Sequence, residues 1–161
     1  MDNLDNRTCG ILLPIFSLPS DCGIGTLGRP AYHFIDFLQK SGQTYWQILP
    51  VHPTFRDNSS YTAFSAFAGN ELFIDLDLLI KDKFLKKSDI QNLDFGANPS
   101  RVDYKKLTAT RQGIYKKLFL NFTKNIPMDF QQFCQDEQFW LDDYALFMSI
   151  FDYLDGAELL D

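Results

Sequence analysis

Between residues 10 and 50 a proline-closed apolar run, an amphipathic helix pattern and a second strand-forming run follow in that order. Few folds accept this sequence of elements. Gly10-Ile11-Leu12-Leu13-Pro14-Ile15-Phe16 is apolar and gives way to Ser17, Pro19 and Ser20, so residues 11–13 read as a buried strand ended by Pro14. Pro30 then stands where helices favour a first-turn proline, and Ala31, Phe34, Ile35 and Leu38 fall at i, i+3, i+4 and i+7. Gly42 supplies a left-handed stop. Thr44-Tyr45-Trp46-Gln47-Ile48-Leu49 is rich in strand formers and ends at Pro50 and Pro53. Strand, helix and strand within about forty residues form a βαβ unit, whose crossover makes the two strands parallel neighbours in one sheet.

The remainder changes character. A polar loop spans residues 54–62, a small, aromatic-laced stretch runs to Gly69, and Leu72-Phe73-Ile74 reads as a short extended segment. Leu107, Ile114, Leu118 and Phe122 predict a helix over residues 105–122 with a basic outer face, broken by Pro127. A stronger helix is expected over residues 129–154. Its stripe is Trp140, Tyr144, Phe147, Phe151 and Leu154, with Asp142 and Asp143 off it and Gly156 at its end. The chain thus divides into an α/β start (residues 1–80) and a mainly α-helical insertion or subdomain (residues 81–161).

Composition narrows the function. Sixteen Phe in 161 residues need a core or a partner surface to bury them. A net charge of -6 argues against nucleic acid, which selects clustered basic faces. Eleven of the fifteen Lys and Arg fall between residues 81 and 124, and a solvated helix face accounts for them better than a binding patch. Cys9, Cys22 and Cys134 form neither a disulfide framework nor a zinc spacing, and free thiols fit a reducing, cytoplasmic setting. The acidic start Met1-Asp2-Asn3-Leu4-Asp5 has no apolar signal region, and no run is long enough to span a membrane. No metal or cofactor is expected.

Four features are candidates for chemistry. Gly23-Ile24-Gly25-Thr26-Leu27-Gly28 matches G-x-G-x-x-G between a strand and a helix. However, Pro19 and its neighbours separate it from the strand end, and Leu49-Pro50-Val51-His52-Pro53 follows the second strand where a ribose-binding acid is required. A tight loop explains these glycines better than a nucleotide. His33 lies within the predicted helix and reads as a surface or boundary residue, whereas His52 follows a strand end, where parallel α/β proteins place binding groups. Asp75 and Asp77 share a face if extended, and read as a solvated edge. The loop Arg56-Asp57-Asn58-Ser59-Ser60-Tyr61 combines hydroxyls and amides with an aromatic ring. Sugars need that mixture, though an ordinary polar turn has the same composition.

The order of several blocks resembles the 4-α-glucanotransferase (amylomaltase) family. They are Gly10-Ile11-Leu12-Leu13, Ser17-Leu18-Pro19-Ser20, the glycine loop, and Tyr45-Trp46-Gln47-Ile48-Leu49-Pro50. Ser59-Ser60-Tyr61 follows, with Phe64-Ser65-Ala66-Phe67-Ala68-Gly69-Asn70 and Phe73-Ile74-Asp75-Leu76. Val102-Asp103-Tyr104 and Trp140-Leu141-Asp142-Asp143-Tyr144-Ala145-Leu146-Phe147-Met148 complete the likeness, which runs from about Thr8 to Phe151.

The resemblance implies the N-terminal part of a (β/α)8 barrel, incomplete in this chain, with an α-helical inserted subdomain. It implies an enzyme that cuts α-1,4 bonds of malto-oligosaccharides and passes the segment to another glucan by a retaining, two-carboxylate mechanism. The family's catalytic carboxylates lie on later strands, so no catalytic residue is expected here, and these residues alone should be inactive. Tyr61 matches the family tyrosine lining the glucan cleft, and Ser59 matches a serine that contacts sugar hydroxyls. Ser60 stands where the family favours proline, which implies a looser loop; His52 stands where it often has glycine. The implied partners are an α-1,4-glucan and the missing C-terminal portion of the enzyme. A non-catalytic module that binds glucan or a protein partner is the competing reading.

Overall fold

β1 (Gly10–Leu12) and β2 (Tyr45–Gln47) pair in parallel, with Gly10 opposite Tyr45, Ile11 opposite Trp46 and Leu12 opposite Gln47. The structure, a computed structural model, describes residues 7–54, 58–96, 98, 100–124 and 126–154. The helix that joins the strands, α1 (Arg29–Lys40), starts with proline in its first turn. It ends as its glycine predicts: Gly42 takes φ 67°, its N–H bonds the Gln39 carbonyl at 3.1 Å, and the Gln43 N–H bonds the Leu38 carbonyl at 2.9 Å. The βαβ unit is present as the residue pattern requires.

Burial corrects part of that reading. Side chains on a strand alternate between faces. Trp46 faces α1, where its ring meets Phe34 edge-on at 5.0 Å and its indole N–H donates to the Leu13 carbonyl at 2.8 Å. Leu12 and Tyr45 have the opposite parity and are 55% and 60% exposed, so β1 is not a wholly buried strand. Ile35 is also exposed, because α1 packs through Ala31, Phe34 and Leu38.

The main core lies beside the sheet. Ile15, Leu18 and Ile24 from the β1–α1 connection meet Leu72, Phe73, Leu76, Leu85 and Phe95, and Leu107 and Ile114 close it. These last two lie on α3 (Tyr104–Phe122), whose start Asp103 caps by accepting from the Lys106 N–H at 3.2 Å. The expected extended segment at residues 72–74 is instead a 3-10 turn, Glu71–Phe73. The Asn70 side chain accepts from the Leu72 N–H at 2.9 Å, a local bond that outcompetes a strand ladder. The same effect removes the solvated-edge reading of Asp75. Its carboxylate accepts from the Leu78 N–H at 3.0 Å and caps α2 (Leu76–Lys81).

One long C-terminal helix was expected, and two are found: α4 (Met128–Asp136) and α5 (Gln138–Tyr153). Glu137 ends one and begins the other, and its carboxylate accepts the Trp140 indole N–H. The expected stop at Gly156 lies outside the described residues. In the interior of α3, a Cβ on Gly113 would meet nothing within 4 Å. Gly113→Ala should therefore stabilise the chain by about 0.5–1 kcal/mol, read as a higher urea midpoint, since alanine loses less backbone entropy.

Candidate functional site

The segment after β2 leaves the sheet and returns, tied at two levels. The Asn70 N–H donates to the Val51 carbonyl at 2.7 Å, and Thr54 and Ala63 form an antiparallel bridge nearer the tip. Arg56 and Asp57 lie outside the described residues. Past them Asn58 adopts φ 55°, a conformation asparagine tolerates better than most residues. A turn follows, closed by the Thr62 N–H on the Ser59 carbonyl at 3.2 Å, while the Ser59 hydroxyl accepts from the Tyr61 N–H at 3.2 Å. Ser60 is the second residue of that turn, where proline is favoured, and it is buried; the turn stays closed without the ring. Tyr61 points outward, 77% exposed. The arrangement presents an aromatic face beside a hydroxyl-bearing turn.

The return arm of the loop is held by rings. Phe64 lies 5.6 Å from Phe147 and 5.0 Å from Phe151 of α5. Phe67 lies 5.2 Å from Phe139 and 6.1 Å from Trp140. Between them the Ser65 hydroxyl accepts from the Phe67 and Ala68 N–H groups, each at 3.1 Å. On the other side Asn58 lines an open cleft of about 850 Å³, together with Ser17, Ser20, Asp21, Arg101 and Tyr104.

The glycine loop is a packing device. Gly23 takes φ 81°, a Cβ on Gly25 would collide with the Ile15 carbonyl oxygen, and one on Gly28 would collide with the Asp75 carboxylate. Asp75 also accepts from the Thr26 hydroxyl at 2.6 Å, so a carboxylate occupies the place beside Gly28 that a nucleotide phosphate would need. His33 is exposed on α1 and His52 is half-buried beside Pro53. Among the described residues, no three His, Cys, Asp or Glu side chains converge as a metal site, and no helix is long and apolar enough to cross a membrane. The three cysteines are free thiols, and burial pushes Cys22 above its ordinary pKa.

Arg111 escaped the reading of the sequence. Its side chain is fully buried, and its guanidinium donates to the Ile74 carbonyl at 3.2 Å and the Leu72 carbonyl at 3.5 Å. Desolvation lowers its pKa. One turn on, Tyr115 donates to the Glu71 carbonyl at 2.9 Å, so two α3 side chains hold the turn that follows Asn70. The available signal was the gap at residue 111 between Leu107 and Ile114, which an arginine fills on the same helix face.

A family model described as 4-alpha-glucanotransferase matches residues 13–160. The 4-alpha-glucanotransferase of Streptococcus pneumoniae is 44% identical over 154 residues, which cover 95% of this chain and 30% of that protein. The Clostridium butyricum 4-alpha-glucanotransferase is 46% identical over 136 residues, covering 84% and 28%. Among solved structures, an amylomaltase from Streptococcus agalactiae in complex with acarbose superposes with a TM-score of 0.90 at 42% identity. That match covers 97% of this chain and 32% of the amylomaltase chain. The chain thus spans about 30% of the length of the curated relatives it matches.

Proposed function

Because the chain belongs to the 4-alpha-glucanotransferase family, we propose that its residues form part of the glucan cradle of an enzyme that moves α-1,4-glucan segments between malto-oligosaccharides. The exposed Tyr61 ring on the closed Ser59–Thr62 turn carries this reading. A pyranose presents a C–H face that packs on an aromatic ring and equatorial hydroxyls that need short polar partners, so Tyr61 would stack and Ser59 would meet a hydroxyl.

The same proposal assigns the architecture. Residues 1–80 would begin a (β/α)8 barrel, and residues 81–161 would be a largely helical insertion against it. The parallel β1–β2 pair supports this, since Leu12 and Tyr45 leave an apolar face open opposite α1, the face that turns inward in such a barrel. Retaining transfer needs two carboxyl groups about 5–5.5 Å apart, one as nucleophile and one as acid. Ser59 and Tyr61 carry no carboxyl group, so in this reading the chemistry would come from later strands of the enzyme, with these residues binding and orienting the sugar.

The test is a calorimetric titration of the 161-residue chain with maltoheptaose, beside an incubation with maltotriose followed by chromatography. Binding without any longer dextrin is expected, and Tyr61→Ala should weaken it about fivefold through the lost ring contact. Longer dextrins would refute the assignment of the chemistry elsewhere; unchanged affinity in Tyr61→Ala would refute the role of the loop.

A further inference from the structure

The aromatic stripe of α5 has no fully buried residue, so an inward-facing core does not explain it. Its rings instead meet the return arm of the Tyr61 loop. Phe147 and Phe151 lie 6.1 Å apart, nearly parallel, and Phe64 meets both, at 5.6 and 5.0 Å. The rest of α5 is mixed: Asp142, five residues before Phe147, is exposed, and so are Leu146 and Ile150. A second contact, Phe67 against Phe139 and Trp140, stands one turn of α5 or more toward its start. Trp140 is itself fixed by the Glu137 carboxylate at the α4–α5 junction.

We infer that this face of α5 is a clasp that positions Tyr61, with Phe147 and Phe151 as positioning residues that touch no sugar. Phe64 directly follows Ala63, the residue that bridges Thr54 at the base of the tip. Holding the Phe64 ring therefore fixes one stem of a loop whose tip also carries a bridge, a turn and a bond to the Ser59 hydroxyl. A platform held in place before the sugar arrives loses less ordering entropy when it binds. The helical part of the chain would thus set the affinity of a binding residue in the α/β part. The affinity arm of this inference rests on Tyr61 being a glucan contact; the loop-ordering arm does not.

Amide exchange separates the two. In Phe147→Ala the Tyr61 and Thr62 amides, bonded to the Ser59 hydroxyl and carbonyl, should exchange about tenfold faster, the α1 amides should not change, and maltoheptaose should bind about fivefold more weakly. Phe147→Tyr, which keeps the ring, should restore both. Unchanged exchange at Tyr61 and Thr62 overturns the clasp whatever the sugar does, and faster exchange with unaltered affinity overturns its positioning role. Faster exchange in a chain whose parent binds no maltoheptaose supports the clasp and removes the glucan reading of Tyr61 instead. Should Phe147→Ala raise exchange in α1 as well, Phe147→Leu decides the matter, because it fills most of the space while removing the ring that meets Phe64. A loop there as slow to exchange as in the parent counts against the clasp.

Discussion

Arg111→Ala is expected to cost about 3 kcal/mol or more of stability, read as a lower urea midpoint at constant slope. Two opposed effects set the figure. A buried guanidinium has lost its hydration, and the Asp75 and Glu71 carboxylates offset that only in part, since desolvation still lowers its pKa. Removing it recovers that penalty. Against this, the Leu72 carbonyl loses its donor in a buried setting and the Ile74 carbonyl in a part-buried one, at about 1–3 kcal/mol for a buried group left unpaired and less for the second. A long side chain with no exposed surface also leaves a cavity, which adds a cost that grows with its volume. The two losses exceed the one gain. Arg111→Met separates them, since it fills much of the space without donating, and about 2 kcal/mol should still be lost. A methionine variant as stable as the parent would show that desolvation outweighs the two bonds and that Arg111 does not staple α3 to the Glu71–Phe73 turn.

Gly25→Ala should be comparably damaging, by about 3 kcal/mol, the upper end for overpacking. The added Cβ would collide with the Ile15 carbonyl oxygen and stand 2.8 Å from the Leu18 amide nitrogen. Both are backbone atoms of the 3-10 turn Ile15–Ser17 and its cap, so neither can rotate away. The Gly25 N–H also donates to the Phe16 carbonyl at 3.2 Å, a bond that separation of the two strands of chain would break. Thermal unfolding of Gly25→Ala beside Gly113→Ala makes the comparison direct: the same methyl group should lower the midpoint in the loop and raise it in the helix. A loop variant as stable as the parent would show that residues 15–18 can yield, contrary to their place in the core.

The elements with local causes were legible in advance. Pro30, the spacing of Ala31, Phe34 and Leu38, and Gly42 define α1 because each acts within a turn of its own position. The strand-forming run around Trp46 and the block order shared with the glucanotransferases likewise need no tertiary information. Residues 72–74 misled because an apolar triplet looks the same in a strand and in a 3-10 turn, and only the Asn70 cap distinguishes the two. The single long helix misled because nothing in its ring stripe marks the interruption at Glu137.

The candidate site was legible as chemistry and not as geometry. Ser59 and Tyr61 could be singled out by residue type and by family likeness, since hydroxyl and ring are properties of the residues themselves. That Phe64 meets Phe147 and Phe151, and that Asp75 stands against Gly28 while holding Thr26, depends on contacts between positions distant in the chain. Periodicity along one segment carries no record of what a second segment will bring against it. The sequence by itself determined the parallel strand pair, its helix and the family; only the packed chain decided that a buried arginine and a clasp of rings would hold the loop, because such contacts exist only once the backbone has closed around them.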